Sequence, residues 1–290
     1  MSQRTSRAVL WAVYLSTAVV AWAVSSFLPV ESPLILSAVI DLVAMMMIFG
    51  FSVIFDNSSV YDPFWSVAPM GLAGYWIVSG WTSHEVNWRA LAAVALVMLW
   101  GSRLTWNFLS GWDGIRHEDW RYLGFRETAG RAYWLVSFFG FHLFPTLIVY
   151  VACLPVYVAC TRSGSFGPLD AAAVVVTLGG IAIEAVADSQ LTAAVRSGGV
   201  TGRTFRGGLW RFSRHPNYFG EIVFWWGLVL FAVGAGVEFW WTAVGAAGVT
   251  ALFLVVSLPL IEKRMASRRD DYGRVVAETS RLIPLPTRTR

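Results

Sequence analysis

The sequence predicts an all-α, polytopic transmembrane protein: a helical bundle of about eight (seven to ten) helices with a cytoplasmic N-terminus. Hydrophobic residues make up 56% of the 290 residues and charged residues only 14%, whereas a soluble domain carries about a quarter charged residues. Several apolar runs are long enough to cross about 30 Å of hydrocarbon. These runs are 8–28, 33–54, 66–82, 89–109, 132–160, 169–191, 217–236 and 239–260.

The positions of the basic residues predict the orientation of these helices. With eight spans and a cytoplasmic N-terminus, all 22 lysine and arginine residues except Arg89, Arg103 and Arg162 lie on the cytoplasmic side. Cytoplasmic loops of membrane proteins carry such an excess of Lys and Arg. The net charge of +4 is therefore explained by topology, and we expect membrane lipids and no nucleic acid as partners.

Ionisable residues inside the apolar runs are candidates for function, because a charge in hydrocarbon is costly unless it is paired or used. Glu184 and Asp188 are four residues apart and share one helix face. That face suits a cationic or hydroxyl-rich ligand, or an arginine of a neighbouring helix. Arg103 lies deep in the fourth run, where it either neutralises a buried carboxylate or reaches a phosphate.

The loop from Gly114 to Tyr122 is dense in ionisable residues. Trp120 and Arg121 are adjacent and could offer a stacking ring and a cation to a nucleotide, although a solvated amphipathic loop is the alternative. The polar residues of this loop lack the helical spacing of a zinc site, and we predict no metal.

The most informative stretch runs from Gly207 to Glu221 and reads Gly-Gly-Leu-Trp-Arg-Phe-Ser-Arg-His-Pro-Asn-Tyr-Phe-Gly-Glu. A proline suits the first turn of a helix, so a helix is predicted to begin near Pro216. Asn217 and Glu221 are then one turn apart on one face. A helix N-terminus flanked by arginines is a natural phosphate site.

This stretch resembles the C-terminal signature of the steroid 5α-reductase family, and most closely that family's bacterial, DUF1295-type branch of uncharacterised membrane proteins. The runs 117–122, 184–190, 225–227 and 271–284, together with Glu262, support the resemblance in the expected order. It implies one integral membrane domain over 1–290. Residues 1–110 form the N-terminal, substrate-side helices, and residues 111–290 form the cofactor half, open to the cytoplasm of a bacterial inner membrane.

The activity implied is reduction of a lipid-like enone, of steroid or isoprenoid type, by NADPH. Hydride goes to the β-carbon while an acid polarises the carbonyl oxygen, and the protein supplies positioning and oxyanion stabilisation. The candidate cofactor-binding residues are Arg103, Trp120, Arg121, Glu184, Asp188, Arg196, Arg206, Arg214, His215, Asn217, Tyr218, Glu221, Glu262 and Tyr272.

The chain departs from the reductases in the group that polarises the ketone. They pair a Tyr with a Glu in the N-terminal half, and Trp100 stands where the Tyr is expected. Tyr61 and Asp62, in Val-Tyr-Asp-Pro-Phe-Trp, are the catalytic candidates in their place. An ordinary turn at Asp-Pro is the alternative.

Part of the same stretch also resembles isoprenylcysteine carboxyl methyltransferases and related phospholipid methyltransferases. Arg214, His215, Pro216, Tyr218 and Gly220 fit their S-adenosylmethionine motif, and Glu262 lies near the expected carboxylate. NADPH carries a 2′-phosphate and a pyrophosphate, which favour an arginine-rich site, so S-adenosylmethionine is the second cofactor hypothesis. A transporter or assembly factor is the third class.

Overall fold

The computed structural model describes residues 2–80, 86–198, 200 and 202–287. Within these residues the chain is helical, and its only strand-like feature is an isolated parallel bridge between Ser213 and Ser280. The predicted all-α polytopic bundle is confirmed. The chain forms two compact units, Met1–Gly164 and Ser165–Arg290, whereas the sequence interpretation drew its internal boundary at residues 110 and 111.

Eight α-helices make up the part of the first unit that the structure describes. They are α1 (Gln3–Phe27), α2 (Pro33–Ile54), α3 (Phe64–Ser79), α4 (Trp88–Gly111), α5 (Trp120–Ala129), α6 (Tyr133–Val136), α7 (Phe144–Ala152) and α8 (Leu154–Thr161). A π-helical segment, Ser137–Leu143, joins α6 to α7. The helical stretch from α5 to α8 is therefore divided into several segments, and Pro155 lies in the first turn of α8.

Five α-helices make up the described part of the second unit. They are α9 (Pro168–Arg196), α10 (Pro216–Ala235), α11 (Ala243–Leu252), α12 (Leu258–Arg268) and α13 (Tyr272–Glu278). A 3₁₀ segment precedes α11, and a π-helical turn, Phe253–Ser257, joins α11 to α12.

Seven helical segments of the described chain are long and apolar enough to cross a membrane. They are Gln3–Phe27, Pro33–Ile54, Trp88–Gly111, Trp120–Thr161, Pro168–Arg196, Pro216–Ala235 and Val237–Arg268. Seven lies within the predicted range. Large apolar side chains on these segments are exposed, such as Trp22 (72%) and Trp106 (73%), as expected for helices solvated by lipid.

The predicted run at 66–82 corresponds to α3, which has only 16 residues. It nevertheless lies antiparallel to α4. The hydroxyl oxygens of Ser66, near the start of α3, and Thr105, near the end of α4, are 2.9 Å apart. At the other end, Gly80 packs against the carbonyl of Cys160, and Asn87 donates to the carbonyl of Ala159 at 3.0 Å. The short helix α3 therefore runs alongside most of α4.

Close contact of α9 with α10 organises the second unit. A Cβ on Gly180 would lie 2.5 Å from the backbone nitrogen of Phe224, and one on Gly220 would lie 2.6 Å from the backbone nitrogen of Glu184. Gly227 packs in the same way against Thr177. Small residues allow backbones to approach in this manner in membrane bundles. The contact aligns the end of α9 with the start of α10, where the candidate residues lie.

Candidate functional site

The stretch before α10 is fastened to α9. Gly208 has a φ of +55°, a left-handed conformation that favours glycine, and it packs directly on the end of the Gln190 side chain. The backbone nitrogen of Leu209 donates to Oε1 of Gln190 at 2.9 Å, and Nε1 of Trp210 donates to the carbonyl of Ala187 at 2.9 Å. The predicted helix start at Pro216 is confirmed.

Four side chains converge at the start of α10 and are called the Glu262 cluster: Arg214, His215, Glu262 and Arg281. Oε1 of Glu262 lies 3.2 Å from Nη2 of Arg214 and 3.3 Å from Nε2 of His215. Oε2 accepts from Nε of Arg281 at 3.2 Å and lies 3.1 Å from its Nη2. Both carboxylate oxygens are therefore engaged, and two guanidinium groups share one negative charge.

Aromatic side chains lie around the Glu262 cluster. Tyr218 packs edge-on against Phe253, with ring centroids 4.8 Å apart, and more loosely against His215. Tyr272 is buried at the start of α13. Burial raises the pKa of its phenol; the nearby Glu262 carboxylate raises it further, and Arg214 opposes the rise.

The polar residues of α9 and α10 meet one turn further on. Nδ2 of Asn217 donates to Oδ1 of Asp188 at 3.2 Å. Glu221 is buried and accepts from Nε1 of Trp225 at 3.4 Å, and Glu184 is buried against Gly220. The shared face predicted from the spacing of Glu184 and Asp188 thus packs on α10.

Between Gly207 and Glu221, two buried side-chain atoms have no hydrogen-bond partner among the described residues: Nε of Arg214 and Oδ1 of Asn217. An unpaired buried polar atom costs about 1–3 kcal/mol. Such atoms are therefore expected where a ligand supplies the missing partner.

Two further predicted cofactor residues of this unit, Arg206 and Arg196, belong neither to the Glu262 cluster nor to the polar contacts between α9 and α10. Arg206 is paired with Glu278 at 2.7 Å, and Arg196 is exposed in the last turn of α9. An open groove of about 500 Å³ runs beside the end of α9. It is lined by Gln190, Ala193, Ala194, Ser197 and Phe205.

In the first unit, Tyr61 and Asp62 have different partners. Oη of Tyr61 lies 2.9 Å from Oγ1 of Thr146 within the buried core. Asp62 accepts from Oη of Tyr122 at 2.6 Å and from Nη2 of Arg121 at 3.4 Å. Burial raises the pKa of Asp62 to about 6, against the opposing effects of Arg121 and Tyr122.

Tyr122 is the residue that sequence reasoning missed here. Asp119 caps α5 by accepting from the backbone nitrogen of Arg121 at 2.9 Å. The first turn of α5 therefore carries Trp120, Arg121 and Tyr122 together. The signal was the Glu-Asp-Trp-Arg-Tyr run, but nothing in it indicates a contact with Asp62, 60 residues away. Arg103 lies on α4 and Trp120 is half-buried.

Within the described ranges, no three or more His, Cys, Asp or Glu side chains are grouped so that they could hold a metal ion.

A family model described as a protein of unknown function (DUF1295) matches residues 48–279. The chain belongs to the DUF1295 family. It is also similar to an uncharacterised protein of Schizosaccharomyces pombe, with 25% identity over 276 residues that cover 87% of this chain and 80% of the relative. No solved structure matches. The DUF1295 match includes Asp62, Tyr122, Asn217 and Glu262, and it ends two residues before Arg281.

Proposed function

We propose that this DUF1295 protein is an NADPH-dependent membrane reductase acting on the double bond of a lipid-like enone of steroid or isoprenoid type. The observation that carries the proposal is the charge of the Glu262 cluster. Two arginines are gathered at the start of α10, and the carboxylate between them compensates only one of them. An excess of positive charge at a helix N-terminus favours phosphate groups.

The same observation weighs against a compact cationic ligand. S-adenosylmethionine carries a sulfonium, for which a free carboxylate would be the natural partner. Both oxygens of Glu262 are engaged by Arg214, His215 and Arg281, so this carboxylate is already neutralised. What favours methyl transfer as the second candidate is that Arg214, His215, Tyr218 and Glu262 do come together.

The residues of the second unit fit NADPH in hydrogen-bonding capacity. Nε of Arg214 and Oδ1 of Asn217 are buried polar atoms open to a new partner. Arg214 would hold phosphate, while Asn217 and Asp188 would hold a polar part of the nucleotide. When bound, NADPH supplies the hydride, and this chain's task is to bind, orient and stabilise charge.

Asp62 with Tyr122 is proposed as the acid that polarises the substrate carbonyl. A carboxyl group with a pKa of about 6 is protonated often enough near neutral pH to donate a proton. Tyr122 bonded to Asp62 provides the tyrosine–carboxylate pair that the resemblance to reductases implies. A catalytic role for Tyr61, whose hydroxyl contacts Thr146, stays a prediction.

The ligand experiment is thermal unfolding of the detergent-purified protein with NADPH, NADH or S-adenosylmethionine. A ligand at a hundredfold excess over its Kd stabilises the fold by about 2.7 kcal/mol. We expect NADPH to stabilise the wild-type protein, and we expect Asn217→Ala or Glu221→Ala to remove this stabilisation. Asn107→Ala, at an exposed position of α4, is the matched control for Asn217→Ala. Stabilisation by S-adenosylmethionine alone would contradict the reductase proposal and favour lipid methyl transfer.

We further propose that the protein lies in a bacterial inner membrane with its N-terminus and cofactor site facing the cytoplasm. Of the predicted external connection 83–88, residues 83–85 lie outside the described part of the chain. Single cysteines at Val86 and Arg116 should label from opposite sides. Cys153 and Cys160 are buried and should give little background. Labelling of both new cysteines from one side would refute this topology.

A further inference from the structure

The C-terminal tail after α13 is tied to the stretch that leads into α10. Ser213 and Ser280 form a parallel bridge, and the backbone nitrogen of Arg214 donates to the carbonyl of Ser280 at 2.8 Å. Oγ of Ser213 donates to the carbonyl of Leu282 at 2.7 Å, and the backbone nitrogen of Leu285 donates to the carbonyl of Phe212 at 3.0 Å. This pairing sets Arg281 beside Arg214.

Arg281 is only partly used by the protein. Its Nε and Nη2 bind Glu262, and this ion pair does not use its Nη1. Its side chain is 38% exposed, whereas that of Arg214 is 11% exposed. A guanidinium has five N–H donors in a rigid fork, so Arg281 retains donors on a side that a ligand can reach.

The charge balance indicates what that ligand is. Arg214 and Arg281 are held on opposite oxygens of one carboxylate, and Glu262 cannot neutralise both. Bringing two guanidinium groups together is unfavourable unless an anion compensates them, and Arg binds phosphate with the same fork geometry as carboxylate. A second anion at Arg281 and Arg214 satisfies both the charge and the buried Nε of Arg214.

We propose that the C-terminal tail completes a phosphate-binding site in which Arg281 contacts the ligand directly beside Arg214. The inference rests on the proposed function in that NADPH is the expected phosphate-bearing ligand. The tail is then part of the binding site, although the DUF1295 match ends at Thr279.

The first test compares the affinities of the full-length protein and the Arg281→Gln variant for NADPH and for inorganic pyrophosphate. Arg281→Gln should raise both dissociation constants at least tenfold and reduce their salt dependence. Arg274→Gln removes the same charge from an exposed position on α13 and should stay within twofold of wild type. Dissociation constants of Arg281→Gln within twofold of wild type would overturn the proposal.

A second measurement needs no variant and so is independent of any folding defect. Phenylglyoxal modification of the wild-type protein, read by mass spectrometry, should slow at Arg281 when NADPH or pyrophosphate is present, and not at Arg274. An arginine that only braces Glu262 would be modified at the same rate with and without ligand, and that result contradicts the inference.

Pyrophosphate separates this inference from the reductase proposal. If the protein binds pyrophosphate through Arg281 but not NADPH, the phosphate site stands and the reductase proposal fails. If NADPH binds and Arg281 is neither required nor protected, the reductase proposal stands and this inference fails. Binding of neither compound would reject both.

Discussion

Asp62 in the first unit and Glu262 in the second are both carboxylates beside arginines, yet their surroundings differ. Asp62 has one arginine at 3.4 Å and one phenol at 2.6 Å. Glu262 has two arginines and a histidine within 3.3 Å. The single arginine and the phenol do not offset burial at Asp62, so its pKa rises to about 6. The number of cations per carboxylate thus suits Asp62 to proton donation and Glu262 to holding arginines in position.

The largest expected effect is on the turnover number, and it distinguishes the role of Asp62 from that of Glu262. Asp62→Asn should lower the turnover number about a hundredfold, because a positioned acid contributes that much or more. Glu262→Gln should instead weaken NADPH binding more than it slows turnover. Both are measured by NADPH oxidation with an enone substrate and by NADPH titration. Weakened binding in Asp62→Asn with normal turnover would reverse the two roles.

The pH dependence of stability should also differ at Asp62. Its pKa rises from 3.8 to about 6 on folding, so the wild-type protein binds more protons when folded. Relative to Asp62→Asn, the free energy of unfolding of the wild-type protein should therefore be highest below about pH 4. This difference should fall by about 3 kcal/mol as the pH rises to about 6. Unfolding midpoints across this range provide the measurement.

The control for this pH dependence is Asp113→Asn, which removes an exposed carboxylate and should parallel the wild type. A wild-type protein that gains stability relative to Asp62→Asn as pH rises would contradict the assignment of Asp62.

Removal of the charge at Glu262 should destabilise the second unit by a smaller amount. Glu262→Gln leaves Arg214 and Arg281 without a counter-charge, and we expect about 2 kcal/mol because the cluster is partly exposed. Glu278→Gln breaks the more exposed pair with Arg206 and should cost under about 1 kcal/mol. Thermal unfolding without ligand tests the pair. Equal losses would mean that the cluster has no special role in stability.

The smallest expected effect concerns Tyr122. Tyr122→Phe removes one hydrogen bond to Asp62 and should destabilise the protein by about 1 kcal/mol. Because that bond favours ionised Asp62, the variant should also move the fall in stability to higher pH. Tyr75→Phe removes a phenol hydroxyl elsewhere in the first unit and serves as the control in the same unfolding measurement. No change in the pH of the transition would remove Tyr122 from the proposed pair.

The sequence predicted those parts of the site that depend on neighbouring residues. Pro216 marks the start of a helix through its own backbone geometry, and the spacing of Glu184 and Asp188 is enough to set them on one face. It also drew attention to Asn217 and Asp62. The contacts that define their chemistry lie far along the chain: Asn217 meets Asp188 across 29 residues and Asp62 meets Tyr122 across 60. No local pattern contains such pairings.

The sequence by itself determined that this protein is an all-helical membrane bundle, because hydropathy over about 20 residues decides whether a segment enters lipid. It also determined the start of α10 and the accumulation of arginines around it. Only the tertiary structure decided that Arg281 reaches Glu262, that Tyr122 rather than Tyr61 bonds Asp62, and that α3 matches α4 despite its 16 residues. These depend on which surfaces pack together, and close packing is a property of the folded chain.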